Sequence, residues 1–176
     1  MNIVVINGSP RKSGRTGVAA RFISKEYKAQ LVDLSDGTLP LYNGESEQDT
    51  IDAVQQLKNT IKNADGIVLS SPEYHSAMSG ALKNALDFLG GEYFRHKPVA
   101  LLAVAGGGKG GMNALTNMRT TARGVYANVI PKQLVLDPVY FDLENDALTD
   151  EGSQLVDGLM TELQLYVKAY GQVNSF

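Results

Sequence analysis

Residues 6 to 16 read INGSPRKSGRT, and Ser9, Arg11, Arg15 and Thr16 crowd the start of a helix-like stretch behind a short apolar run. A helix N-terminus offers unpaired N–H groups and the positive end of the macrodipole, and guanidiniums add charge-assisted hydrogen bonds, so these residue types suit an anion such as a phosphate. The phosphate loop of nucleotide hydrolases is not matched. Five residues separate Gly8 from Gly14 where that motif has four, and Arg15 stands in place of its lysine. A solvated turn in which a Ser or Thr caps the helix would use the same residues.

Two further stretches invite chemistry. GGGKGG, residues 106 to 111, contains G-x-G-x-x-G between a strand-like and a helix-like run. Glycines this dense satisfy that dinucleotide pattern by chance, it follows the wrong strand of the unit, and Asp137 comes too late to serve as the ribose-binding acid. The glycines fit better as backbone that approaches a flat ligand closely, or as a plain turn. PEYHSAMS, residues 72 to 79, has neither metal spacing nor a nucleophile elbow. Ser71, Ser76 and Ser79 lack an acid partner for a hydrolytic triad with His75, and Glu73 alone forms no acid–base pair. An anion pocket with flexible backbone, aromatic side chains and little reactive protein chemistry implies a phosphorylated planar cofactor that carries the reaction.

The composition limits the partners. The 176 residues are 43% hydrophobic, enough for one core, and the expectation is a single domain over 1–176. A net charge of −3, from 16 basic and 19 acidic side chains, provides no general field for nucleic acid or an anionic membrane. The lack of cysteine excludes disulfides, thiolate metal sites and thiol nucleophiles and fits a reducing cytoplasm. No apolar run reaches membrane-spanning length, so a soluble cytoplasmic protein is expected.

Strands and helices must alternate to position the three stretches. NIVVI, AQLVDL, DGIVLSS, PVALLAVA and NVIPKQLVL read as strands, and helical periodicity marks about 14–27, 51–61, 80–89, 112–123 and 155–167. Five strands separated by helices imply a doubly wound α/β fold with a parallel sheet covered on both faces. Ligands sit beyond the carboxyl ends of such strands, so 8–16, 72–79 and 105–111 should line one site.

GSPRKSGRT, PEYH and GALKNALDFL, in this order and on these elements, resemble the NADPH-dependent FMN reductase family, and azobenzene reductases within it most closely. The resemblance covers about residues 2 to 137. It implies a flavodoxin-like three-layer sandwich with strand order 2-1-3-4-5 and helices on both faces. It further implies bound FMN, NADPH as donor with NADH possible, and a small aromatic acceptor such as an azo compound or a quinone, reduced by ping-pong hydride transfer. Ser9, Arg11 and Thr16 match the family's phosphate ligands, and Arg15 joins them by its charge. Pro72, Glu73, Tyr74, His75 and Ser76 fall on the loop against the flavin ring, and Gly106, Gly107 and Gly108 on the loop at its pyrimidine end. Relatives usually have asparagine where His75 stands, and many have serine at Gly14. No protein acid or base is needed for the first half-reaction, so no catalytic residue is assigned; water or Tyr74 could supply protons to an azo acceptor.

The resemblance also implies a homodimer or homotetramer. Leu86, Phe88, Leu89, Tyr93 and Phe94 exceed one buried stripe and could form such a contact, or could pack beneath their own loop. A flavodoxin-like FMN electron carrier that does not turn over nicotinamide is the alternative. Carriers generally present a strongly acidic face, whereas this chain is only mildly acidic and carries basic residues in two of its site loops.

Overall fold

The computed structural model describes residues 1–107 and 110–173. The elements follow in the order β1 (Ile3–Asn7), α1 (Arg15–Tyr27), β2 (Gln30–Asp33), α2 (Asp52–Lys62), β3 (Gly66–Tyr74), β4 (Ala77–Met78), α3 (Gly80–Asp87), α4 (Gly91–Phe94), β5 (Pro98–Val104), α5 (Met112–Gly124), β6 (Asn128–Leu136), β7 (Phe141–Asp142), β8 (Ala147–Leu148) and α6 (Asp150–Val173). β2, β1, β3, β5 and β6 pair in that order, all parallel. This is the expected five-stranded order.

The additional strand comes from the 72–79 segment, which reads as a loop but is partly a hairpin. Pro72 still pairs with Val104 of β5, so β3 continues to Tyr74, and β4 returns antiparallel through Tyr74↔Ala77 and Glu73↔Met78. Its polar side chains hid the strand because a strand shows in sequence as an apolar run or an apolar alternation only where at least one face is covered by apolar neighbours. A second small hairpin, β7 with β8, is likewise too short to leave a period in the sequence.

Alternation along the strands divides the core in two. Val4, Ile6, Leu69 and Leu101 pack with Leu57 and Ile61 of α2, Leu82 and Leu86 of α3, and Leu115 and Met118 of α5. Ile3, Val5, Val68 and Leu102 pack on the other face with Ala20 and Ile23 of α1 and Leu159 and Leu163 of α6. Every residue of β1 and β5 is buried, as a parallel strand between two helical layers must be.

The apolar surplus near α3 is used inside the chain. Leu86, Phe88, Leu89 and Phe94 are between 0% and 5% exposed, Tyr93 packs against the same cluster, and Tyr42 meets Phe88 edge-on at 5.0 Å between ring centroids. Leu86, Phe88, Leu89 and Phe94 are therefore spent within the chain, and Tyr93 is half-buried. The surplus was needed because α4 and the loop carrying Tyr42 must also be anchored.

The strand order reverses between β1 and β3, where the chain leaves for β2 on one side and returns on the other. The loops after β1 and β3 therefore flank the switch point, where a crevice opens.

Candidate functional site

The wall after β1 is set by contacts between backbone and buried side chains. Gly8 N–H donates to Ser70 O at 2.8 Å, and Ser79 Oγ donates to Gly8 O. A Cβ at Gly8 would overlap Ser70 O and sit 2.9 Å from Leu82 Cβ, so only glycine allows the loop this close to β3 and α3. Asn7 Oδ1 accepts from Ser9 N–H at 3.2 Å while its Nδ2 donates to Asp33 Oδ1 at 2.7 Å, which ties the loop to the end of β2. Ser9 Oγ then accepts from Arg11 N–H at 3.1 Å.

This loop delivers an uncapped helix. The N-cap of α1 is Gly14, in extended conformation with no side-chain cap, and no acidic residue lies in the first turn. The Ser/Thr-capped turn that would explain the residues without a ligand is therefore not what forms. The orphan N–H groups and the dipole of α1 face the cleft without a neutralising partner. Arg15 Nε is buried without a hydrogen-bond partner, and among the described residues no other buried side-chain nitrogen or oxygen is in that state. Ser9 and Thr16 are also buried. A buried donor left unpaired costs about 1–3 kcal/mol, so the pocket is poised for an anionic acceptor. These features fit the phosphate of FMN.

The wall after β3 comprises Pro72, Glu73 and Tyr74, followed by the turn His75–Ser76. Ser71 Oγ donates to Pro72 O at 2.8 Å and accepts from Ser79 N–H at 2.9 Å, and Ser79 Oγ caps α3 by accepting from Leu82 N–H at 3.0 Å. Ser71 and Ser79 are thus structural. His75 and Ser76 take φ of +49° and +63°, the left-handed pair that a two-residue hairpin requires and that Asn-Gly adopts most easily. Asparagine would suit the first of these positions for the same reason, since its short polar side chain tolerates that conformation better than an imidazole does.

The wall after β5 runs from Val104 through Ala105, Gly106 and Gly107, and resumes at Gly110. Gly111, the N-cap of α5, has φ +96°, and a Cβ there would lie 2.7 Å from Val135 Cγ1. Glycine is obligatory, so α5 has no cap of its own. Glu73 supplies one: its Oε2 accepts from both Gly111 N–H and Ala114 N–H at 2.9 Å.

The three walls enclose one cleft. Its lining includes Ser9, Arg11, Arg15 and Thr16 from the first, Pro72, Glu73 and Tyr74 from the second, and Gly106 from the third. Gly14, Val104 and Ala105 line it too. Gly14 and Ala105 fall within the stretches expected to line the site without being named as binding residues, and Val104 lies just outside them, because an uncapped glycine and two small apolar residues carry no chemical label. His75 and Ser76 form the hairpin tip and Gly107 continues the third loop, none of them in the lining. Gly108 lies outside the described residues.

Comparison with known proteins supplies the identity. The sequence profile of the NADPH-dependent FMN reductase family matches residues 1–140. An NADPH azoreductase from Bacillus sp. (strain OY1-2) is 53% identical over 173 residues, covering 98% of this chain and 96% of that protein. An FMN-dependent NADPH-azoreductase from Staphylococcus aureus (strain USA300) is 30% identical over 186 residues, covering 100% and 95%. Among solved structures, a flavoenzyme NAD(P)H:(acceptor) oxidoreductase from Paracoccus denitrificans superposes with a TM-score of 0.76 at 23% identity, covering 97% of each chain. An archaeal flavodoxin superposes at 0.58 with 16% identity and 99% coverage of each, which establishes the flavodoxin-like fold. With that fold, a cationic uncapped helix terminus on the cleft, and the family profile across all three walls, the chain belongs to the NADPH-dependent FMN reductase family of oxidoreductases.

Proposed function

We propose that this chain is an FMN-dependent NADPH oxidoreductase that reduces azo compounds, quinones or similar small aromatic acceptors by ping-pong hydride transfer, as a single FMN-binding domain over 1–176. The observation that carries this reading is the junction of three strand-end loops around α1, where Arg15 Nε is buried without a partner. Likeness to an azoreductase over nearly the whole chain supports the azo acceptor. The flavodoxin-like carrier loses ground for the same reason, because fold alone is common to carriers and reductases whereas this relative and the family profile are reductases.

When bound, FMN supplies the hydride chemistry, taking a hydride from the nicotinamide and passing one to the acceptor. The residues of the chain bind and orient. Ser9, Arg11, Arg15, Thr16 and the N–H groups of α1 hold the phosphate. Pro72, Glu73 and Tyr74 present the second wall to the ring, with His75 and Ser76 shaping the turn that ends it. Gly106 and Gly107 let the third wall come close to the ring. No side chain is assigned to proton abstraction; the Tyr74 hydroxyl, on a 36% exposed side chain at the cleft, and water are the proton sources for an azo acceptor.

Among the described residues no helix is long and apolar enough to cross a membrane. A cytoplasmic, homodimeric or homotetrameric enzyme is the fuller reading. Leu41 and Tyr42, exposed beside α3, take over from the buried Leu86–Phe94 group as candidates for a contact between copies. The test is spectroscopic and kinetic. Under anaerobic conditions NADPH should bleach the yellow protein, an azo dye or quinone should restore the colour, and initial rates should give parallel reciprocal lines. A protein that binds no FMN, or whose flavin NADPH cannot reduce, defeats the reading.

A further inference from the structure

Glu73 does two things that normally take two residues. In a capping box the N-cap side chain bonds the N–H three residues on, and an acid at that later position bonds back to the N-cap N–H. In α5 those positions are Gly111 and Ala114, neither of which has a polar side chain. One carboxylate oxygen from β3 accepts both N–H groups at 2.9 Å, across 38 and 41 residues of sequence. The second and third walls of the cleft are therefore joined through one side chain, which itself lines the cleft.

The same carboxylate carries the charge. Arg11 and Arg15 make the β1 side of the cleft cationic and find no ion-pair partner among the described residues, while Glu73 sets a negative group at the side formed by β3 and α5. It also occupies the positive end of the α5 macrodipole, which would otherwise favour an electron-rich ligand. A negative group beside a redox centre opposes the arrival of electrons and lowers the reduction potential.

We propose that Glu73 is a positioning residue that clamps the β3 and β5 loops together, and that its charge holds the reduction potential of the bound flavin below the value the same cleft would give without it. This rests on the FMN reading above. A glutamine at 73 keeps an oxygen that can accept both N–H groups but loses the charge, so the two consequences separate.

In the apoprotein, Glu73→Ala should exchange the Gly111 and Ala114 amide hydrogens at least tenfold faster than the unaltered chain. It should also bind FMN about tenfold more weakly, by quenching of flavin fluorescence. Glu73→Gln should restore most of that affinity and the slow exchange, yet its bound FMN should equilibrate with reference dyes at a more positive potential. The proposal is overturned if Glu73→Ala leaves amide exchange and FMN affinity as they were, or if Glu73→Gln shows the unaltered potential. Should Glu73→Ala fail to fold, the glutamine variant decides through its potential alone. If the unaltered protein binds no FMN, the cofactor reading falls instead, and exchange in the apoprotein still judges the clamp.

Discussion

In the loop after β1, Gly8 and Ser9 are held by Ser70, Ser79 and Asn7, all buried in the sheet and its adjoining helix. In the loop after β5, Gly111 and the start of α5 depend on a carboxylate that reaches over from β3. The first loop is over-determined at its start, since Gly8 is held at both its N–H and its carbonyl and Ser9 at its N–H. In the third, among the described residues, Glu73 is the side chain that holds the first turn of α5. A phosphate is small and highly charged, so if the first loop holds it, as proposed, rigidity there improves affinity by lowering the ordering cost. The other end must admit a donor and then an acceptor of different shapes, and there one carboxylate joins two walls of the cleft.

Changes at the rigid end should therefore be the most damaging. Gly8→Ala places a methyl group into Ser70 O and Leu82 and should cost about 3 kcal/mol, read from urea denaturation of the apoprotein. A variant within 0.5 kcal/mol of the parent, by the same ~0.5 kcal/mol criterion used for innocuous substitutions, would mean that the loop can back away from β3 and is not over-determined.

Arg11→Ala tests what the rigidity is for. A charge-assisted hydrogen bond contributes about 1.5–3 kcal/mol, so FMN should bind roughly ten- to a hundredfold more weakly. Riboflavin lacks the phosphate and should bind the variant as weakly as it binds the parent. Arg15→Ala should follow the same pattern, because its buried Nε has no protein partner to lose. Equal losses for both ligands would place the arginines at the ring and reverse the assignment of the two ends.

Ser79→Ala removes the cap of α3 and the donor to Gly8 O together. The expected loss is about 1–2 kcal/mol of apoprotein stability, with FMN affinity falling in parallel as the loop loosens. An unchanged affinity would show that Asn7 and Ser70 suffice to hold the loop.

The smallest effect has the opposite sign. His75→Asn with Ser76→Gly relieves two left-handed residues and should stabilise the apoprotein by about 1 kcal/mol. If the hairpin tip only ends the second wall, FMN affinity should stay within about threefold, or roughly 0.7 kcal/mol. A large loss of affinity would mean that the strained turn itself serves binding.

The readable and the unreadable parts differ in the distance over which their cause acts. Apolar runs such as PVALLAVA and the helical spacing of Ile51, Val54, Leu57 and Ile61 are local, and they led to the five strands, their order through the resemblance, and the location of the cleft. The apolar cluster Leu86–Phe94 was ambiguous because composition does not say which surface covers a residue; here Tyr42, α4 and the sheet cover it. The 72–79 hairpin was hidden because Pro72 and Glu73 break the apolar pattern while still pairing with Val104 and Met78.

By itself, then, the chain's order of residues determined a doubly wound α/β fold, a helix start at Arg15 with basic and no acidic side chains around it, and glycine at the loop after β5, because periodicity, helix-terminus chemistry and backbone freedom are properties of neighbours in sequence. Only the tertiary structure decided that α1 goes uncapped, that Arg15 Nε is buried and unpaired, and that Glu73 caps a helix beginning 38 residues away. Each of these is a question of which polar group finds which partner once water has been excluded, and that pairing is made across the sheet rather than along the chain.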